Sequence, residues 1–362
     1  MGATVNILVL GAAYGLLPAV RLGLANHRVT VVCRQNERAM LAQHGATLEF
    51  RRRDGRQGLV LHMPACEGRA SEPGQLGLVS PEISVEGFDL VFLAMGEPQY
   101  AAPEIAALMG AIAEAKLPVV SLMNLLPPAF LRRLEGLDVT RLKPAYRAWD
   151  VWEMFDPSRF TAASPDAQAV RLSPDQPNRL TVTLASNFKV APFERSEDQR
   201  VLEIAAASLQ RKAPGDVHVP AQIVAHGSLA IPFAKWPMLI AGNCRCLTAD
   251  GTMISISDAV RGDLDESRKV YELVARVIRD VGATSEDVVP FASYAAAAKQ
   301  LTQASSLARA LASGAHMVER IDLMVLLTAK ALGLPTDRIE EVAAIIQHRV
   351  DINAGALAEA VR

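Results

Sequence analysis

The residues of this chain that could do chemistry begin at a turn, Gly11-Ala12-Ala13-Tyr14-Gly15, between the apolar run Val5–Leu10 and the helically spaced Leu16–Ala25. Glycines between a buried strand and a helix let the backbone approach a pyrophosphate, whose charge then rests at the helix N-terminus. The turn is a degraded Gly-x-Gly-x-x-Gly: alanine stands in the second glycine position, and the spacing before Gly15 reads as one residue short. By itself it also fits a tight strand–helix turn that binds nothing. The second β-branched run, Val29–Cys33, ends at Arg34, where an NAD-specific protein would hold an acidic residue on the ribose hydroxyl. A guanidinium there suits the 2′-phosphate of NADP, because its fork can grip phosphate through two hydrogen bonds. Arg38, one turn into the next helix, could assist. The expectation is therefore NADP, with its phosphates near Gly11–Gly15 and its 2′-phosphate on Arg34. The plainer alternative is a solvated arginine at a strand end.

Other chemistries find less support. Cys33, Cys66, Cys244 and Cys246 are the only cysteines, and Cys244-Arg-Cys246 is too close for an ordinary disulfide. No zinc spacing is present, and the seven histidines, His62 and His226 among them, form no helical ligand pair. No metal is expected, and four reduced thiols suit a reducing, cytoplasmic setting. A formal net charge of −2 lacks the basic field that nucleic acid or an anionic membrane would need. Ile7–Ala25 is apolar, but no basic segment precedes it and Arg21 interrupts it before a membrane span is reached.

These residues need elements to hold them. With 362 residues, two domains are expected. Val5–Leu10, Leu16–Ala25 and Val29–Cys33 make a βαβ unit, followed by a helix over Glu37–His44 that Gly45 closes. Asp54-Gly55 between Thr47–Phe50 and Leu59–His62 signals a hairpin. Glu67–Gly87, rich in Gly, Pro and Ser, reads as loop. Leu90–Ala94, Pro103–Ala115 and Val119–Leu122 continue the strand–helix alternation of an open parallel sheet. Ala169–Leu172 and Leu180–Leu184 read as antiparallel strands, and a helix covers Arg200–Leu209. Helices are then expected at Trp236–Thr248, Leu264–Val281, Tyr294–Ala312 and Ile321–Leu332. The fold class is α/β: a Rossmann-type dinucleotide-binding domain over residues 1–195, then an all-helical substrate and dimerisation domain over 196–362.

The order of motifs resembles the ketopantoate reductase (2-dehydropantoate 2-reductase) family over nearly the whole chain. The Gly-Ala-x-x-Gly turn, Val32-Cys33-Arg34, Glu37-Arg38-Ala39-Met40-Leu41 with His44-Gly45, Phe88-Asp89-Leu90-Val91 and Met123-Asn124-Leu125 carry it in the first half. Trp236, Leu239, Asn243 and Leu247-Thr248-Ala249 carry it in the second, with Ser305-Ser306, Gly314, Glu319, Ile321-Asp322 and Ala331–Thr336. The resemblance implies a diverged member that reduces ketopantoate, or a related 2-oxo acid or carbonyl, to the 2-hydroxy acid with NADPH. It implies a lysine that polarises and protonates the carbonyl, a carboxylate that positions the lysine, and small polar side chains that hold the substrate. Carried over residue by residue, these are Lys235 and Glu319 for catalysis and Asn243 and Ser306 for the substrate. Gly11, Ala12, Ala13, Gly15, Arg34 and Asn124 fall to the cofactor.

The carry-over departs from the family in the substrate half. The family lysine follows the tryptophan by two positions, where Met238 stands; Lys235 is the nearest substitute, expected on a different helix face unless Pro237 shifts the backbone. Asn243 falls one position late, Cys246 replaces a further asparagine, and Glu319 matches only with one extra residue after Gly314. Met95-Gly96-Glu97 stands where the family commonly carries a lysine. Cysteine for asparagine at Cys246 and methionine for lysine at Met238 make the site more apolar and suit a bulkier or less polar substrate. Tyr146, Trp149, Trp152 and Phe155 are core or interface aromatics, or an added wall of that pocket. An opine-type dehydrogenase and a non-catalytic NADP-binding sensor or assembly protein stay open as alternatives. Apolar helices such as Ile321–Leu332 could support a homodimer or simply a core.

Overall fold

Short runs of Val, Leu and Ile bounded by glycine form parallel strands here because each is buried on both faces of one sheet. The computed structural model describes residues 3–51, 57–165, 167–210 and 219–360. The chain divides into two compact units: Met1–Met95, Gln99–Phe130 and Asp150–Pro232 form the first, and Gly96–Pro98, Leu131–Trp149 and Phe233–Arg362 the second.

The first unit opens with β1 (Asn6–Leu10), α1 (Leu16–Leu24), β2 (Arg28–Val32) and α2 (Gln35–His44). It continues through β3 (Ala46–Arg51), β4 (Gln57–Met63), β5 (Ala65–Glu67), β6 (Leu76–Val79), β7 (Leu90–Leu93), α3 (Pro103–Glu114) and β8 (Val119–Ser121). Two single-turn helices, α4 (Pro128–Leu131) and α5 (Trp149–Trp152), lie where the chain leaves this unit and returns. Then follow β9 (Phe160–Pro165), β10 (Gln168–Val170), β11 (Arg179–Leu184), β12 (Phe188–Val190), α6 (Ser196–Leu209) and β13 (Ile223–Ala225).

Among the described residues nine strands make the main sheet in the order β13-β12-β9-β8-β7-β1-β2-β6-β5, and their pairings are parallel except β9 with β12. Around β1 the order β6-β2-β1-β7-β8-β9 is that of a Rossmann fold, with its switch point between β1 and β7. A second sheet, β10-β11-β3-β4, contains the expected hairpin: β3 and β4 pair antiparallel with Thr47 opposite His62. The Asp54-Gly55 turn lies outside the described residues.

One strand was hidden in the segment expected to be loop. β6, Leu76-Gly77-Leu78-Val79, is fully buried and pairs with β2. Its four residues are too few to show a period, and Gly77 disguises it. A Cβ on Gly77 would lie 2.3 Å from the Ala70 nitrogen, so glycine serves a close backbone approach there.

Residues 196–232 stay with the first unit. Asp198, in the first turn of α6, takes Arg159 Nη1 at 2.9 Å, and α6 packs on α1 and β13. Arg21, 4% exposed in α1, donates Nη2 to the Val219 carbonyl at 3.0 Å, and burial lowers its pKa to about 10. The arginine that breaks the apolar N-terminal run is thus a strut beneath α6. No helix among the described residues is long and apolar enough to cross a membrane.

The second unit is helical: α7 (Trp236–Ala241), α8 (Ile256–Arg261), α9 (Leu264–Asp280), α10 (Phe291–Ala298), α11 (Ser306–Ala312), α12 (Ile321–Ala331) and α13 (Asp337–Ala360). Two expected helices are shorter than their apolar patterns. Trp236–Thr248 stops at Ala241, where Gly242 leaves helical geometry and a 3-10 turn, Asn243–Arg245, takes over. Tyr294–Ala312 is two helices, since the Ser305 hydroxyl accepts from the Ala308 amide and starts α11 afresh. The aromatic run divides between the units. Trp152 packs on Tyr100 and Phe160 in the first, and Tyr146 on Trp149 in the second; all are buried.

Candidate functional site

In the first unit the chemistry-bearing residues follow the carboxyl ends of adjacent parallel strands. The ladder runs one residue past each strand: Gly11 N–H donates to Val32 O at 3.1 Å, Ala94 to Leu10 at 2.9 Å and Leu122 to Leu93 at 2.8 Å. These bonds set the origins of the turns that carry Gly11, Met95 and Asn124. Gly11 has φ +105°, and a Cβ there would stand 2.6 Å from Met95 Cγ. Gly15 has ordinary helical angles, yet its Cβ would meet Gly11 O at 2.2 Å and Val9 Cγ1 at 2.9 Å. Gly15 therefore performs the helix-on-strand packing that a dinucleotide fingerprint assigns to its third glycine.

The two alanines differ. The methyl of Ala12 is buried in the core, whereas Ala13 is exposed at the mouth of the turn. The amides of Ala12, Ala13 and Gly15 find no acceptor among the described residues. At the N-terminus of α1 they form an opening suited to an anion, while the first amides of α1 itself, Leu16 and Leu17, are taken by the carbonyls of Ala13 and Tyr14. The residues present fit a dinucleotide pyrophosphate, with one methyl where glycine would leave more room.

Arg34 is exposed as the residue before α2, and its guanidinium has no carboxylate partner among the described residues. Its backbone N–H donates to Glu37 Oε2 at 3.2 Å. Asn124 is half-buried on the same sheet edge, three residues past β8. Arg171, just after β10, escaped the sequence reading. Its Nη2 donates to Ala12 O at 2.7 Å and its Nη1 meets Glu37 Oε1 at 2.5 Å. No local signal marks it, because the contact joins residues far apart in the chain. Beneath this edge lies Cys33, whose thiol burial pushes up to about 12, with Glu37 adding to the shift.

In the second unit Lys235 caps the N-terminus of α7, with Leu239 N–H on its carbonyl at 3.0 Å and Pro237 in the first turn. The expected change of face does not occur. Positions 235 and 238 are one turn apart on a regular helix, so Lys235 and Met238 share a face. They are the half-buried positions, while Trp236, Pro237, Leu239 and Ile240 are buried. Asn243 is half-buried, and its backbone carbonyl accepts the Ser305 hydroxyl at 2.7 Å. Ser305 is buried beside it, whereas Ser306 is exposed at the start of α11. Cys246 is buried with its sulfur 3.5 Å from Gly242 O, and burial raises its thiol.

Glu319 is half-buried two residues before α12, and its Oε1 accepts the backbone N–H of Glu97 at 3.1 Å. Glu97 is 1% exposed, and its carboxylate accepts the amides of Arg147 and Ala148 at 2.8 to 3.1 Å. Burial, then Glu97 and Glu319, push the Tyr146 phenol well above its usual range. Glu97, in the segment that follows β7, is thus a buried carboxylate that staples two backbone amides. Among the described residues no cluster of His, Cys, Asp and Glu could hold a metal ion.

A Rossmann-type unit whose chain runs on into an all-helical unit is the fold of the ketopantoate reductases, and this chain has that fold. A putative ketopantoate reductase from Ralstonia solanacearum MolK2 matches it with TM-score 0.68 and 15% identity, covering 97% of this chain and 99% of that one. The PanE/ApbA family ketopantoate reductase from Ralstonia eutropha JMP134 gives TM-score 0.65 and 18% identity over 96% and 99%. D-mandelate dehydrogenase, solved with NADH and anilino(oxo)acetate, gives 0.63 and 14% over 96% and 99%. No family model matches the sequence, and no curated protein matches it.

Proposed function

We propose that this chain is an NADP-dependent reductase that converts a 2-oxo acid to the 2-hydroxy acid. The observation that carries the reading is Arg34, exposed and free of a carboxylate partner among the described residues, on the same sheet edge as the open amides of the glycine turn. That pairing suits a dinucleotide bearing a 2′-phosphate. Asn124 completes the coenzyme side. A bound nicotinamide supplies the hydride. Lys235 holds the proton that the carbonyl oxygen takes up, Glu319 orients the lysine, and Asn243 with Ser306 grips the substrate. Met238 on the same face as Lys235, with Cys246 nearby in sequence, favours a less polar substituent than the one in ketopantoate. A substrate with a bulky apolar group, such as the phenyl-bearing oxo acid related to mandelate, fits this reading.

The test is loss of NADPH absorbance with ketopantoate and with phenyl-, isopropyl- and methyl-substituted 2-oxo acids, repeated with NADH and with added amino acids. Turnover with NADPH, unchanged by amino acids, is the expected result. Lys235→Ala should lower kcat by about 10²- to 10⁴-fold, the range for a lost general acid, and leave NADPH affinity intact. Arg34→Gln should weaken NADPH by about 1.5–3 kcal/mol, the worth of a charge-assisted hydrogen bond, without weakening NADH. Met238 in the family's lysine position supports a second reading, a non-catalytic NADP-binding protein. NADPH binding with no turnover on any of these acids would select it.

A further inference from the structure

Glu37 lies three residues after Arg34, close enough to the end of β2 that its carboxylate oxygen accepts the Arg34 backbone N–H. Left to itself, an acidic group at that place does two things. It accepts hydrogen bonds from ribose hydroxyls, which favours NAD, and it repels or neutralises what would bind a 2′-phosphate. In this chain the carboxylate is occupied. Arg171 Nη1 takes Glu37 Oε1 at 2.5 Å, while Arg171 Nη2 is anchored on Ala12 O at 2.7 Å. The pair is shielded, with the Glu37 and Arg171 side chains 12% and 21% exposed, so solvent screens it little. The anchor on Ala12 also joins the glycine turn to the first turn of α2, the two backbone segments that a dinucleotide would touch.

We infer that Arg171 is a positioning residue that sets coenzyme preference by engaging the Glu37 carboxylate, leaving Arg34 as the group that meets a 2′-phosphate. The inference rests on the dinucleotide reading above and adds to it the residue that makes the site selective. The charge balance follows simply. With Arg171 in place, Glu37 is neutralised and Arg34 contributes a net positive charge. Without it, Glu37 turns to Arg34 or to a ribose hydroxyl, and the local charge for a 2′-phosphate falls by one.

The experiment measures dissociation constants of 2′,5′-ADP, 5′-ADP, NADPH and NADH by calorimetry for wild type, Arg171→Met, Arg171→Lys, Glu37→Gln and the Arg171→Met/Glu37→Gln double variant. Wild type should prefer 2′,5′-ADP over 5′-ADP. Arg171→Met should weaken 2′,5′-ADP and NADPH at least 10-fold and leave NADH within 3-fold. The double variant should return to within 3-fold of wild type, because the carboxylate that competes is gone, and Arg171→Lys should keep most of the preference. Glu37→Gln should bind NADPH at least as tightly as wild type. Equal losses for NADPH and NADH in Arg171→Met, or a double variant as poor as the single, would make Arg171 a plain brace and overturn the inference. So would weakened NADPH binding by Glu37→Gln, which tests the idea even if Arg171→Met does not fold. A wild type indifferent to the 2′-phosphate would overturn the NADP reading itself, and this shows before any variant is made.

Discussion

Replacing Gly15 by alanine adds one methyl group at the crossing of α1 and β1, and its consequence can be worked from the geometry. The new carbon would stand 2.2 Å from Gly11 O, 2.9 Å from Val9 Cγ1 and 3.0 Å from Ala94 Cβ. Optimal carbon contacts lie at about 3.5–4.0 Å, so the first is more than about 1 Å too short. Its partner is backbone oxygen, which has no rotamer to escape into, and the other two belong to the core beneath the sheet. Gly15 has φ −63° and ψ −18°, so alanine meets no backbone strain of its own and the effect is steric alone. Overpacking of this kind costs about 1–3 kcal/mol, and a backbone clash belongs at the upper end. For a unit of this size each kcal/mol lowers Tm by about 2–4 °C, giving a fall of about 6–12 °C in the first unit's transition. Gly68→Ala is the control. It meets nothing within 4 Å and has only its φ of +91° to resist alanine, which costs about 1–2 kcal/mol. Calorimetry of both variants, with NADPH titration, decides the matter. A Gly15→Ala protein that melts within a degree of wild type and binds NADPH equally well would refute the close-packed turn and the role given to this glycine.

Other outcomes follow from buried groups. Tyr271 donates its phenol to Val289 O at 2.5 Å, and burial raises its pKa from 10 to about 12. The unfolded phenol ionises first, so this stability is complete below about pH 10 and is lost as pH climbs toward 12. Urea denaturation across that range should show a loss of about 2–3 kcal/mol that Tyr271→Phe abolishes. Asp322 is fully buried and paired with Arg320 Nη2 at 2.7 Å, and burial raises its carboxyl while Arg320 opposes the shift. Arg320→Met should destabilise the second unit by about 3–5 kcal/mol, and adding Asp322→Leu should recover most of it, as judged by denaturant midpoints. Cys33, Cys244 and Cys246 are buried and Cys66 is partly exposed. Iodoacetamide at pH 8 should label Cys66 in the native protein and all four thiols in urea, as read by peptide mass.

Much of the first unit was legible because its cues are local. β1, α1, β2 and the turn between them are contiguous, and a buried parallel strand advertises itself as an unbroken apolar run. Arg34 could be found because the end of β2 is a fixed distance from that turn. The missed strand β6 shows the limit: four residues with a glycine carry no period, and only pairing with β2 makes them a strand. Helix ends in the second unit were misjudged for a similar reason. Gly242 must pack against Tyr294, whose hydroxyl would lie 2.1 Å from a Cβ there, and Tyr294 is remote in sequence.

The amino-acid sequence by itself determined the class of fold, the glycine turn and the cation after β2, since propensity, burial pattern and spacing act between neighbours. Tertiary structure alone decided which groups face one another. It placed Arg171 on Glu37 and Ala12, Glu97 on the amides of Arg147 and Ala148, and Ser305 on the Asn243 carbonyl. These contacts join residues 50 or more apart in sequence. Charge pairing and hydrogen bonding over such separations depend on where the chain returns, and no local pattern encodes that.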